Sequence, residues 1–396
     1  MKQKVVIIGH GYLSRLALIR SLGQSGYDVT VIVTMYGEVD TTRPLDCYSK
    51  YVSDVYYCNA RDNDGLIKIL MEQCACVDQK VVIIPDSDWS ASIVDNNREV
   101  LNEHFLFPYI KRKDIHVVDW MDKERQKQLA REVGLTAPGT TALDITNGII
   151  PALSRIHYPC FTKALTTMGG GKQWFRRCNN EKELRMALAS FAKGGNANLL
   201  VEDFIEIEKE YAVVGVTDGE NVIIPGVIRF VENCKCHLGI ARKGEILPVK
   251  GYEQLLEQFN QYVKKTHFIG LFDIDFLYSN GKYYFCEMNF RYGGSGYAYT
   301  KSGINLPAMF VQMMIGLLDI STVKEAVEEK RVYINERMLL DDLRAKNLTI
   351  KEFNNAINTA DISFVKDGED PKPQTLYNRM VAEAKVKYLL KKLLRR

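Results

Sequence analysis

Apolar β-branched runs and amphipathic helical runs take turns through the first third of the chain, and few architectures accept that alternation. "KVVIIGHG" is a buried-looking run ending in a glycine turn, and "YLSRLALIRSLGQSG" is amphipathic at helical spacing. "YDVTVIV" is a second β-branched run and "KVVIIPDSD" a later one. Strand–helix–strand order calls for a parallel sheet with helices on its faces. Gly9 and Gly11 would let the first turn approach a phosphate or a helix. The dinucleotide fingerprint is nevertheless incomplete, because Ser14 stands where a third glycine is needed. The second run also ends at Val33 and Thr34, with no acid for a ribose. This domain therefore serves some purpose other than NAD binding.

A chain of 396 residues is long enough for about two to four packed units. From Trp120 the texture changes. "MDKERQKQLAREVGLTAPGTTAL" is a charged helix ending at Gly134, and β-rich segments follow it: "YPCFTKAL", "NLLVEDFIE", "KEYAVVGVT" and "NVIIPGVIRFVEN". A net charge of +3 marks neither a nucleic-acid binder nor a surface for acidic partners. The nine cysteines are scattered and include two C-x-C pairs, Cys74/Cys76 and Cys234/Cys236, and no C-x-x-C. That usage fits reduced thiols in a cytoplasm better than a disulfide framework or a zinc site. "MKQKVVIIGHG" lacks the pattern of a secretory signal. The apolar tract Leu306 to Leu318 falls short of the roughly 20 residues of a membrane span. It reads as a buried helix, capped by Asn305 with Pro307 in its first turn. A cytoplasmic protein is the expectation.

Chemistry concentrates in "LFDIDFLYSNGKYYFCEMNFRYGG". Glu287, Asn289 and Arg291 alternate, so they share one strand face. A two-residue Asn280-Gly281 turn would leave Asp275 and Glu287 on opposite faces. A three-residue loop, Ser279 to Gly281 with Gly281 left-handed, puts Asp275, Glu287 and Asn289 together with Asp273 beside them. An oxygen-ligand site for Mg²⁺ requires this second register. On the hairpin alone, a solvated polar face is an equal reading. Upstream, Lys163 sits in an apolar strand followed by Gly169, Gly170 and Gly171, a set suited to a phosphate chain. Taken alone, it is more simply a hairpin tip. In "LLVEDFIEIEKEYAVV", backbone groups near Glu202, Phe204 and Ile205 could meet an adenine edge, and Glu210 ribose hydroxyls.

The order of these parts resembles the ATP-grasp ligases. "DKERQKQLAREVGL" looks like the opening segment of the ATP-grasp region, with Lys123 in the position of a triphosphate-contacting lysine. "YPCFTKA" followed by "GGGK" is similar to the strand lysine and mobile glycine loop. "VEDFIE…KEY" is similar to the hinge. The hairpin is close to that of the biotin-carboxylase and carbamoyl-phosphate-synthetase branch. The resemblance implies triphosphate contacts at Lys123, Lys163 and the glycines, adenine contacts at Glu202, Asp203, Phe204 and Ile205, and ribose contacts at Glu210. It implies ligation of Mg²⁺, with Mn²⁺ as the alternative ion, by Asp275, Glu287 and Asn289. Asp273 stands where some peptide-forming members carry an arginine, which passes transition-state stabilisation to Arg291 or Arg229.

"VVIIPDSDWSA", "MDK" and "RYGGSGYAYTKSGINLP" look most like carboxylate–amine ligases of the D-aspartate-ligase kind. The implied fold is α/β (α+β). A Rossmann-like domain over 1–119 precedes an ATP-grasp domain over 120–320, with a small lid lobe at about 155–205 and a larger metal-binding lobe at about 206–320. A helical, basic extension over 321–396 completes the chain. The implied activity is ATP-dependent amide formation through an acyl phosphate, from a small carboxylate and a small amine. Its rivals are carboxylation, another phosphoryl transfer, or a non-catalytic nucleotide-binding protein. A homodimer is a family-level expectation, and no nucleic-acid partner is implied. "AKVKYLLKKLLRR" places Val386, Leu389, Leu390, Leu393 and Leu394 along one helix face with Lys and Arg opposite. The reading favours packing of this helix on its own protein over contact with an anionic membrane surface.

Overall fold

The structure, a computed structural model, describes residues 2–166, 174–193 and 198–393. The N-terminal strands β1 (Lys4–Gly9), β2 (Asp28–Met35), β3 (Val52–Asn59), β4 (Val81–Pro85) and β5 (Phe105–Leu106) form one sheet in the order β3-β2-β1-β4-β5. All its pairings are parallel, as the alternation required. Strand order reverses between β1 and β4, and the crevice at the carboxyl ends of two such strands is where open α/β sheets receive ligands. Here that crevice holds the Gly9–Gly11 turn and the turn Asp86–Asp88.

Gly9 has a packing reason. A Cβ there would fall 1.2 Å from Asp86 Oδ1. Arg15, from the helix Tyr12–Gln24, is fully buried and fixes the same turn. It donates to Gly9 O at 2.7 Å and to both oxygens of Asp46 at 2.6 and 3.0 Å.

Strand β6 (Tyr109–Ile110) leaves the first domain and pairs with a strand of the main sheet, Phe268 facing Ile110. A smaller antiparallel sheet follows: β7 (Thr140–Asp144), β8 (Cys160–Ala164), β9 (Arg176–Cys178) and β10 (Asn198–Asp203), ordered β7-β10-β8-β9. The helix Glu181–Lys193 covers it through Leu184, Leu188 and Phe191, spaced as one helix face requires. This lobe begins at Thr140, earlier than the expected residue 155, because β7 pairs with β10.

The main sheet contains β11 (Lys209–Thr217), β12 (Val222–Ile223), β13 (Val227–Asn233), β14 (Ala241–Leu247), β15 (Phe268–Ser279) and β16 (Lys282–Asn289). Its path runs β16-β15-β11-β13-β14 and then on to β17 (Arg331–Ile334) and β18 (Ile362–Ser363). One face buries Val213, Phe272, Ile274 and Phe276 against the helix Glu253–Thr266. The other buries Ala212, Val214 and Val216 together with the helices Tyr12–Gln24 and Leu306–Met314. In the last of these, Asn305 caps Ala308 N–H at 3.1 Å, and Pro307 lies in the first turn.

The C-terminal segment is largely helical, yet its boundary at 320 does not separate a unit. β17 extends the main sheet by pairing with β14. Arg20, fully buried, reaches across from the first domain to Asp370 at 2.9 Å and to the carbonyls of Phe364 and Val365 at 3.0 Å. No described helix is long and apolar enough to cross a membrane.

Candidate active site

The β15–β16 hairpin closes with two residues, Asn280 and Gly281, both left-handed at φ 47° and 76°. Ser279 pairs directly with Lys282. The three-residue loop inferred from the sequence does not form. Two residues with φ > 0 give the turn whose twist matches the strands. The shared face arises elsewhere. Phe276 pairs with Phe285, but Asp275 then pairs with Glu287, leaving Cys286 as an extra residue in a β-bulge. The bulge moves Glu287 off the face of Phe285, which is buried in the aromatic core. Asp273 pairs with Asn289, so Asp273, Asp275, Glu287 and Asn289 occupy one face. Glu210, in neighbouring β11, lies on it as well, because its cross-strand partner is Leu277.

Cations close over this face. The helix Lys123–Glu132 starts at Asp122, whose side chain caps Arg125 N–H at 2.9 Å. Lys123 Nζ meets the Glu287 carboxylate. One turn along, Lys127 is fully buried and forms an ion pair with Glu202. Lys163 Nζ lies 2.8 Å from the same Glu202 carboxylate. Burial, and then Lys123, pull the Lys163 ammonium down to about 8. Burial, and then Lys163, hold Lys127 well below the usual lysine range. Three lysines thus share two carboxylates in a space suited to polyanionic phosphate.

Glu202 serves as a counter-ion, and its backbone is held in the ladder between β7 and β8. Beyond it, Asp203 N–H donates to Gly139 O at 2.9 Å and Phe204 N–H to Pro159 O at 3.1 Å. Those two N–H groups are therefore engaged within the fold. Ile205 lies in the segment between β10 and β11. Glu210 accepts from Asn233 Nδ2 at 2.8 Å. Gly169, Gly170 and Gly171 lie outside the described residues.

Arg291 Nη1 donates to Asp273 Oδ2 at 3.2 Å, and its Nε lies 3.7 Å from Asp88 Oδ1 at the β1/β4 crevice. Asp273, in the place of the absent arginine, thus holds Arg291. Burial and then Asp275 raise the Asp273 carboxyl to about 7. Asp86, buried with Oδ1 unpartnered, is likewise raised to about 7, by burial. Gly293 packs where a Cβ would lie 2.7 Å from Asp273 Cγ, and Gly294 packs on Ser14.

Arg229 is not brought to this site. It pairs across the sheet with Tyr211, on the face opposite Glu210 and Asp275, and forms an ion pair with Glu245. Sequence reasoning missed Lys127, Asp86 and Asp88. Lys127 was findable, since it lies four residues after Lys123 and so shares its helix face. Elsewhere among the described residues, Cys234, Cys236 and Asp342 come together. The Asp342 carboxylate is already held by Arg242 at 2.6 Å and by Lys235 N–H at 3.0 Å.

Residues 128–307 match the model of the ATP-grasp domain family. The large chain of carbamoyl phosphate synthase from Gemmatimonas aurantiaca is 24% identical over 213 residues, covering 52% of this chain and 19% of that protein. The chain thus spans about a fifth of that curated relative. The L-amino acid ligase of Bacillus licheniformis superposes with a TM-score of 0.60 at 15% identity, covering 84% of this chain and 79% of the ligase. The biotin carboxylase domain dimer of Hydrogenobacter thermophilus 2-oxoglutarate carboxylase, solved with MgADP, ADP and bicarbonate, gives 0.65 at 18% identity, covering 84% and 74%.

Proposed function

From the premise that this chain carries an ATP-grasp domain at residues 128–307, we propose that it is an ATP-dependent, ADP-forming carboxylate–amine ligase. The observation that carries the reading is the single face bearing Asp275, Glu287 and Asn289, with lysines above it and Arg291 at its end. A carboxylate is a poor electrophile, so direct amide formation is slow. In the proposed reaction a substrate carboxylate oxygen attacks the γ-phosphorus of ATP, and ADP leaves. An amine then attacks the acyl carbon, the C–O bond to phosphate breaks, and the nitrogen loses a proton.

The donor set suits a hard cation. Two carboxylates and an amide oxygen face one way, and Lys123 already rests on one of them. Asp275, Glu287 and Asn289 would hold Mg²⁺, or Mn²⁺ on the same oxygens, and that ion supplies charge neutralisation for the phosphates. Lys123 and Lys163 bind phosphate oxygens, and Glu202 keeps Lys163 in place. Glu210 faces the ribose. Arg291, held by Asp273 and Asp88, orients the carboxylate at the crevice between the two domains. The name of the Bacillus licheniformis neighbour, an L-amino acid ligase, supports this reading.

Hydroxylamine supplied in place of the amine traps an acyl phosphate as a hydroxamate. Screening small carboxylates with ATP and hydroxylamine is expected to give hydroxamate from the wild type and none from Glu287→Gln. ATP consumption with the correct acid and no trappable species would overturn the ligase reading. A second reading is carboxylation, favoured by the neighbour solved with bicarbonate. ADP release that depends on bicarbonate alone, with no other carboxylate present, would put it first.

A further inference from the structure

The helix Pro371–Leu393 packs on the protein through one side only. Tyr377 and Ala384 are buried against the neighbouring helices Glu336–Arg344 and Ile350–Asn358, with Met380, Val381 and Tyr388 beside them. The expected packing is therefore present, but it uses residues other than the apolar stripe read from the sequence. Val386, Leu389 and Leu390 are 56%, 51% and 52% exposed. At 3.6 residues per turn they fall within about 100° of one another, on the side facing away from Tyr388. Lys387, exposed, borders the stripe on one side; on the other, Lys385 is turned back to the protein, its ammonium donating to Asn354 Oδ1 at 2.8 Å. Residues 385–396 contain six Lys and Arg and no acid, so the remaining residues of a chain with total charge +3 carry −3.

We propose that this outward stripe docks on an anionic lipid bilayer, with the helix lying in the plane of the interface. Charge complementarity selects that occupant. An apolar strip bordered by Lys387 seats its side chains among acyl chains while the ammonium group reaches lipid phosphates. Basic residues at the end of a helix are drawn to an anionic leaflet and gain nothing from a neutral one. A second copy of the chain would bring the same six positive charges against each other, which disfavours self-association through this face.

The test is co-sedimentation of the full chain with phosphatidylcholine vesicles, with and without phosphatidylglycerol, at low and high salt. Binding to the anionic vesicles is expected to exceed that to neutral ones by about tenfold or more and to fall as salt screens the charges. Leu389→Glu/Leu390→Glu replaces two exposed residues, so it leaves the fold and the ATP-dependent reaction intact while removing vesicle binding. Lys387→Glu, at an exposed position bordering the stripe, is expected to weaken binding to the anionic vesicles. Equal binding to neutral and anionic vesicles, or none to either, overturns the proposal. So does wild-type dimerisation in analytical ultracentrifugation that Leu389→Glu/Leu390→Glu abolishes, since the stripe would then be an interface between copies.

Discussion

Gln126 holds Met288 by both of its backbone groups, donating from Nε2 to the carbonyl at 2.9 Å and accepting the N–H at Oε1 at 2.8 Å. Met288 lies between Glu287 and Asn289. A side chain from the helix that carries Lys123 and Lys127 therefore substitutes for a neighbouring strand on this part of β16. It fixes two residues of the candidate site, Glu287 and Asn289, against the helix that carries Lys123 and Lys127.

Gln126→Leu leaves the Met288 N–H and carbonyl buried without partners. The expected loss of stability is about 2–4 kcal/mol, read by urea denaturation. Substrate-dependent ADP release should fall further than that loss explains under conditions where the variant is folded. Unchanged turnover in the folded variant would show that Gln126 positions nothing.

Lys163, pulled down to about 8 by burial and Lys123, is partly neutral at alkaline pH. In its proposed role on the ATP phosphates Lys163 binds in its charged form, so nucleotide would bring a proton with it once the pH exceeds about 8. Affinity for ATP is expected to fall by up to about tenfold per pH unit above that point. Calorimetry in buffers of different ionisation enthalpy should register proton uptake on binding. Lys163→Arg, charged throughout, should lose the pH dependence.

Asp86 is raised from 3.8 to about 7, chiefly by burial. The folded state keeps a proton that the unfolded chain gives up above pH 4. Its contribution to stability is thus fully present below 3.8 and is lost as pH rises through about 7. Asp86→Asn is expected to match wild type near pH 4 and to exceed it at pH 8, measured by denaturation across that range. Parallel curves for the two proteins would refute this assignment.

Two arginines offer a direct contrast. Arg291→Ala is expected to keep ATP binding and lose substrate-dependent ADP release. Arg229→Ala, on the opposite sheet face, should leave kcat within about threefold of wild type. Its lost ion pair with Glu245 should cost about 1 kcal/mol or less, because the arginine is partly exposed. A large kcat loss in Arg229→Ala with stability unchanged would return it to the site.

Period-two spacing placed Glu287 with Asn289, and strand–helix alternation placed β1, β2 and β4 in a parallel sheet. Both follow from the backbone's own geometry, so the sequence by itself determined them. The ordered run from Lys123 through Lys163 and Glu202 to the hairpin likewise made the resemblance to the ATP-grasp ligases legible, and residues 128–307 match the model of that domain family. Three features depended on the fold. Alternation alone puts Glu287 on the face of Phe285; the bulge at Cys286 separates them, because Phe285 belongs to an aromatic core assembled from distant segments. Lys127 becomes a buried partner of Glu202 only when β10 lies across its helix. Arg229 and Arg291 are alike as residues, and the pairing of β13 with β11 sends the first to the wrong face. A local pattern sets where side chains point along one strand or helix. Register, burial and counter-ions are set by partners far away in the chain, and those only the tertiary structure supplies.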